Sequence, residues 1–368
     1  MRAGILGRVT QLRTVQVLGG GSAGSSAHVR SLASGLVARG VRVTVCAPAE
    51  LDHAYDFRGA GAHFVPVPRL GGPATLAMLR NAFIGADVVH AHGLHASVRA
   101  TLVLAGGVRA PALVTTWHTR GHADGARGGL VRLLERRSVR AAAVVLGTSS
   151  ELVDRARRRG ARDARLAPVS VPASRAPVCL HDGKARAELG AVDRPLLMAV
   201  GALVPERGYG MLLDAARVWR DLDPQPLLVI AGEGRERAAL QRRIEEEGLA
   251  VRLIGRRDDV AELLAAADVA VLTSRWESRS LLAQEALRLG VPLVATAVGG
   301  VPELVGDAAE LVPWGDAEAL ATAVRGLLED VDRRMDLAAA GRVQARTWPT
   351  EDETIAHVLS VYDELVGC

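Results

Sequence analysis

The feature that most constrains this chain is an alternation. Short apolar runs rich in β-branched residues stop at glycine or small polar residues, and stretches with helical spacing follow. From Thr14 the chain reads TVQVL, a glycine cluster, a helical pattern from His28 to Arg39, and a second run, VRVTVCA. The same rhythm continues through ADVVHAH, PALVTTWH, a helical stretch at 128–140, and AAAVVLGTSS. Strands alternating with helices point to parallel sheets, because parallel neighbours need a crossover and a helix supplies it. Residues 167–195 hold four prolines and no long periodic run, and the charge balance changes sign across them. We place a linker at 176–195. A second series follows: PLLMAVG, a helix at 208–220, PLLVIAG, a helix at 235–247, VRLIG, a helix at 259–266, VAVLTS, a helix at 280–289, then PLVAT and AELVP. The expected fold class is therefore α/β, with two Rossmann-like doubly wound parallel-sheet domains at 1–175 and 196–348 and no short internal repeat.

Composition narrows the function classes. With 368 residues, 49% apolar and 23% charged, the chain is globular and neither disordered nor collagen-like. Aromatic residues are 3%, which argues against a stacking platform, and no nucleic-acid partner is expected. Cys46, Cys179 and Cys368 are odd in number and far apart, which fits neither a disulfide framework nor a four-ligand zinc site and points to a reducing, cytoplasmic setting. Arg8 and Arg13 interrupt the N-terminus and no 18 consecutive apolar residues occur, so neither a signal peptide nor a membrane span is expected. Residues 1–175 carry 24 Arg against 9 acidic groups and residues 176–368 carry 21 Lys+Arg against 32, so the net +4 hides halves of +15 and −11. A basic half invites an anionic partner.

In open parallel sheets ligands sit beyond the carboxyl ends of strands. Gly19-Gly20-Gly21-Ser22-Ala23-Gly24 follows a strand and opens a helix, formally G-x-G-x-x-G. It would let backbone amides approach a phosphate, but the second strand, VRVTVCAP, ends without the acid that a dinucleotide ribose needs, and a plain βα turn explains it equally well. His90, His92 and His95 have spacing that tempts a metal assignment without a supporting Cys or carboxylate cluster, and packing or hydrogen bonding is the more ordinary role. His118 ends a strand among small polar residues and could meet a substrate. Glu277 and Glu285 stand eight residues apart across a strand-to-helix turn, WESRSLLAQE. Paired carboxylates suit vicinal hydroxyls, and helix-start amides suit a diphosphate. An ordinary solvated helix start and the acid and base pair of a glycoside hydrolase compete with that reading.

Company decides between them. The E-x7-E turn, VGALVPERG and GVPLVATAVGGVPELV occur in the order that resembles glycosyltransferase family 4, retaining enzymes of the GT-B fold, over nearly the whole chain. The resemblance implies two Rossmann-like domains facing a central cleft, with the last helix, 349–368, crossing back onto the first. That segment carries five acids and no Lys or Arg, so the lobes become +10 and −6, opposite signs that would favour closure. It further implies transfer of a hexosyl group from a nucleoside diphosphate sugar to an acceptor hydroxyl with retention. Catalytic positions would be His118 and Glu277. Donor-binding positions would be Gly20, Gly21, Arg207, Arg279, Ser280, Leu281 and Glu285, the last at the ribose.

Members commonly pair an Arg after the glycine of the VG segment with a later Lys. Here Ala202 and Arg207 stand instead, and Ser278, Arg279 and Ser280 replace the usual small residues. Arg279 is the candidate for the missing charge. No cofactor or metal is expected, since no DxD pair stands in a suitable setting, and Asp258-Asp259 reads as a helix N-cap with a first-turn acid. A pyridoxal phosphate phosphorylase is excluded because the single lysine, Lys184, lies in the linker. The alternatives are a degenerate non-catalytic carbohydrate-binding homologue and a Rossmann dinucleotide oxidoreductase. The acceptor is open, a small molecule or a lipid-linked one. The arginine-dense stretches 127–140 and 155–165, the first with interleaved Leu and Val, suggest peripheral contact with an anionic membrane at its inner face, against the plainer reading of a solvated outer helix.

Overall fold

The computed structural model describes residues 11–20, 23–105, 110–121, 125–169 and 183–367. The chain divides into two compact units, residues 1–172 with 349–368, and residues 173–348.

In the first unit the strands are β1 (Arg13–Leu18), β2 (Arg42–Ala47), β3 (His63–Pro66), β4 (Val88–His92), β5 (Ala112–Trp117), β6 (Val144–Gly147) and β7 (Ala164–Leu166). They form one parallel sheet in the order β3-β2-β1-β4-β5-β6-β7. The chain leaves β1 toward one edge and returns at β4 toward the other, so the switch point lies between β1 and β4. Strand β3, HFVP, and strand β7, ARL, were not foreseen, because each is short and neither is a continuous apolar run. Two further helices, Ala49–Tyr55 and Pro73–Ala82, lie in the stretch between β2 and β4.

One face of this sheet packs on the helix Ala23–Ala38 and on the final helix, Glu351–Val366, in a core that includes Leu18, Val29, Leu32, Leu36, Val114, Leu146, Ile355, Val358 and Tyr362. Gly35 lets the two helices meet, since a Cβ there would collide with the Ile355 side chain. Thr350 and Glu353 close a reciprocal capping box at the start of the final helix, satisfying its first amides.

In the second unit the strands are β8 (Leu196–Val200), β9 (Leu227–Ala231), β10 (Val251–Gly255), β11 (Val269–Leu272), β12 (Leu293–Thr296) and β13 (Glu310–Val312), ordered β10-β9-β8-β11-β12-β13 and parallel throughout. Both faces are covered by helices, and LLVIA of β9 is buried at every position, as a central parallel strand requires. The switch point here lies between β8 and β11.

Two details depart from the sequence reading. The 176–195 stretch is not all linker: Gly183–Leu189 is a helix, and its Leu189 is buried in the second unit's core. Seven residues are too few for a periodic pattern to stand out. Asp259 does occupy the N-cap of the helix Val260–Ala265, but its carboxylate takes the Arg257 guanidinium (Nε to Oδ1 2.7 Å) instead of a helix amide.

Candidate active site

In the second unit the candidate site residues gather at the ends of β8 and β11. β8 runs into Gly201 and a short 3-10 turn, Pro205–Arg207, after which Gly208 turns back with φ +68°. Only glycine serves at that point, because a Cβ would strike the Thr273 carbonyl and the left-handed backbone is strained for other residues. Thr273 Oγ1 donates to the Arg207 carbonyl at 2.8 Å and the Arg275 amide donates to the Glu206 carbonyl at 2.8 Å, so the two strand-end loops are fastened together. The result brings Arg207 to Glu277. Arg207 Nη1 donates to Glu277 Oε1, and Ser274 sits between them, accepting from Arg207 Nη1 at 3.2 Å and donating to Glu277 Oε1 at 3.0 Å. Glu277 is the more enclosed partner, with 15% of its side chain exposed against 34% for Arg207. Its backbone is held as well, because the Gly300 amide donates to the Glu277 carbonyl at 2.9 Å.

Ser280 caps the helix Leu281–Leu289, its side chain accepting from the Ala283 amide at 3.4 Å. That uses one of the amides the helix start leaves open. Leu281 is exposed in the first turn. Glu285 lies one turn into the helix and is half-buried, and loss of water around it raises its pKa against the opposing pull of Arg288.

Arg279 leaves the same turn toward a different neighbour. Its guanidinium lies over the Trp348 ring at 5.8 Å, with Arg288 over the same ring at 5.7 Å. Burial lowers its pKa to about 10, with Glu303 opposing and Arg288 adding to the fall. The charge next to Glu277 comes from Arg207. Ser274 is the member that sequence reading missed; its position two residues past the end of β11 was the available signal.

In the first unit, Gly19 and Gly20 follow β1, and a Cβ on Gly19 would press on His95 and the Ala96 amide. Gly21 lies outside the described residues. The parallel register sets Gln16 beside His90, and Leu18 beside His92, with His92 in turn beside Thr116. Alternation along the strands then puts Thr14, Gln16, His90, His92 and Thr116 on one face. His90 Nδ1 is 2.6 Å from the Tyr362 hydroxyl and its Nε2 2.6 Å from Thr116 Oγ1. His92 Nε2 is 3.0 Å from Gln16 Oε1 and its Nδ1 3.2 Å from His118 Nε2. His28, from the helix Ala23–Ala38, packs its ring 5.7 Å from that of His92 and 5.5 Å from that of His118.

Burial without a counter-charge holds these imidazoles neutral, lowering His28 to about 4 and His90 to about 3 and pushing His92 and His118 well down. Among the described residues no group of three or more His, Cys, Asp or Glu is placed to hold a metal, and His90 and His92 are hydrogen-bonding core residues. His28, Gln16 and Tyr362 were not singled out from sequence.

Two doubly wound units, one with a paired cation and carboxylate at its switch point, define a doubly wound α/β protein with its candidate site at a strand-end crevice. Comparison with known proteins narrows the class. The family model for the glycosyl transferase 4-like domain matches residues 23–172 and that for glycosyl transferases group 1 matches residues 182–344. The chain belongs to the family 4 type of glycosyltransferases with the GT-B fold.

A GDP-mannose-dependent alpha-(1-6)-phosphatidylinositol monomannoside mannosyltransferase of Mycolicibacterium smegmatis is 34% identical over 191 residues, 48% of this chain and 50% of that protein. A D-inositol 3-phosphate glycosyltransferase of Salinispora tropica is 33% identical over 220 residues, 55% of this chain and 44% of that protein. The chain thus spans about half the length of the curated relatives it matches. Among solved structures, Anabaena HepE with UDP superposes at TM-score 0.81 and 20% identity, covering 95% of this chain and all (100%) of that one.

Proposed function

We propose that the protein is a retaining, metal-independent glycosyltransferase that moves a hexosyl group from a nucleoside diphosphate sugar to an acceptor hydroxyl. The observation that carries this reading is the Arg207–Ser274–Glu277 cluster at the β8/β11 switch point, next to a helix start. Relatives named as a GDP-mannose-dependent mannosyltransferase and a D-inositol 3-phosphate glycosyltransferase, and a fold neighbour crystallised with UDP-glucose, support the donor class.

In this reading Glu277 accepts hydrogen bonds from donor-sugar hydroxyls and Glu285 from the ribose. Arg207, the amides around Ser280 and Leu281, and the dipole of the helix Leu281–Leu289 stabilise the diphosphate as negative charge develops on it. The bond from the anomeric carbon to the diphosphate breaks with its electron pair passing to the diphosphate. The acceptor oxygen bonds on the same face, and its proton goes to the departing diphosphate oxygen. No protein nucleophile takes part. His118 meets a substrate hydroxyl.

For the acceptor, the helix Gly125–Ala141 exposes Leu130 and Leu133 among Arg127, Arg132, Arg136 and Arg137, a face suited to an anionic lipid surface. Among the described residues no helix is long and apolar enough to cross a membrane. Sedimentation with anionic vesicles should show binding at low salt that weakens as salt rises; no binding at low salt removes the membrane contact.

The reaction is tested with a panel of nucleoside diphosphate sugars assayed for binding, slow hydrolysis and product anomeric configuration, with a chelator and with Glu277→Gln. The expected result is one donor hydrolysed or transferred with retention, unaffected by chelator, and slowed about 10- to 100-fold by Glu277→Gln, the loss of a charged hydrogen-bond acceptor. Donor binding without turnover would instead identify a non-catalytic homologue.

A further inference from the structure

The buried polar chain of the first unit has a direction, and it ends at His118. Gln16 sits at its branch. Its Nε2 is 3.0 Å from Tyr362 Oη and 3.4 Å from Thr14 Oγ1, and its Oε1 is 3.0 Å from His92 Nε2. An amide nitrogen only donates and an amide oxygen only accepts, so each neighbour's role follows.

On the first branch Gln16 donates to the Tyr362 hydroxyl. The hydroxyl then donates to His90 Nδ1, and His90 Nε2–H donates to Thr116 Oγ1, both at 2.6 Å. On the second branch Gln16 Oε1 can only accept, so His92 carries its proton on Nε2 and presents Nδ1 as a lone pair. The atom facing that lone pair at 3.2 Å is His118 Nε2, which must be the donor. Loss of water around these rings keeps them neutral, so each has one proton to place, and once one is placed the rest follow.

We infer that Gln16, held by Tyr362 and acting through His92, fixes the His118 proton on Nε2 and leaves Nδ1 as a lone-pair acceptor, so that His118 selects a substrate group that donates a hydrogen bond, a hydroxyl. Gln16, His92 and Tyr362 are positioning residues. His118 Nδ1 has no partner among the described residues, and His118 is the partly exposed end of the chain while Gln16, His90 and His92 are buried. The arrangement parallels metal-bound or catalytic histidines, where the bond made by one ring nitrogen decides what the other can do. The final helix thereby contributes to the chemistry of the first unit through a single hydroxyl, from a residue 346 positions away in sequence from Gln16. The choice of a sugar or acceptor hydroxyl as the group received rests on the transferase reading above; the tautomer itself does not.

The test is nitrogen-15 NMR of the full-length protein with labelled histidine, without donor, with the His118 signal assigned by its loss in His118→Gln. The wild type should show His118, His92 and His90 all protonated on Nε2. Gln16→Met removes the acceptor and should turn His92 and His118 into tautomer mixtures. Tyr362→Phe frees the Gln16 amide to turn and should shift the same two signals in part. With a donor in hand, Gln16→Met should lower kcat/KM about tenfold, the loss of one hydrogen bond of about 1.4 kcal/mol. A His118 proton on Nδ1 in the wild type overturns the inference, as does a His118 tautomer unchanged in both variants. If Gln16→Met fails to fold, the wild-type and Tyr362→Phe spectra still decide. A protein that turns over no donor but shows the expected tautomers would sink the transferase reading and leave this one standing.

Discussion

At Arg207 and Arg279 the same side chain is put to two uses. Arg207 reaches Glu277 and Ser274 at the end of β11, where a diphosphate would find a forked donor. Arg279, two residues from Glu277 in sequence, turns to Trp348 instead, which with Arg288 places a guanidinium on each of two contacts with one ring. Spacing alone made Arg279 the candidate for the charge missing at Ala202, but sequence distance carries no information about which way a side chain leaves a turn. Arg279→Ala should therefore lower thermal stability by about 1 kcal/mol, the worth of a partly desolvated cation–π contact, and leave nucleoside diphosphate affinity within about twofold. Melting curves and calorimetric titration check it. A tenfold affinity loss at unchanged stability would return Arg279 to the donor site. Glu277, by contrast, was legible: it stands where an apolar run stops, and strand ends are where such folds bind. Ser274, Gln16 and Tyr362 were not, since each acts through a partner that the register and packing supply, and His92 was legible only as a packing or hydrogen-bonding residue.

Among the elements, long apolar runs announced themselves. β8, β9 and β11 are buried on both faces and read as continuous aliphatic and Met residues, whereas β3 and β7 sit at sheet edges with three or four residues each and no such run. The β11-to-helix turn depends on the loop after β12. Gly299 has φ +57° and a Cβ there would collide with the Glu277 carbonyl, while Gly300 donates to that same carbonyl. Gly299→Ala should cost about 1 to 3 kcal/mol in stability and displace Glu277, slowing any transfer beyond what the stability loss explains. Denaturant unfolding and an activity assay on the folded fraction test this. A variant with wild-type stability and rate would show that the turn does not rely on this contact.

At the scale of the whole molecule, the alternation of strands and helices was sufficient to predict two doubly wound parallel sheets but not the strand order that sets their switch points, while the buried histidines emerge only once Tyr362 of the final helix meets β1 and β4. Those histidines make stability pH-dependent with a definite sign. His28 is held at about 4 and His90 at about 3, below the ~6.5 of an unfolded chain, so between those values the unfolded state binds more protons. Stability is full above about pH 6.5 and falls as pH drops toward the folded values, by up to about 1.4 kcal/mol per pH unit for each such histidine. Denaturant unfolding at pH 7.5 and pH 5.5 should differ by more than about 1 kcal/mol; equal stabilities would mean the rings are not buried and neutral. The central claim, that the β8/β11 switch point is built for a nucleoside diphosphate sugar, is tested most directly by calorimetric titration of UDP and GDP into the wild type and Arg207→Ala. The account predicts that the wild type binds at least one of them and that Arg207→Ala binds it about 10- to 100-fold more weakly. Binding of equal strength in both proteins, or none in the wild type, would contradict it.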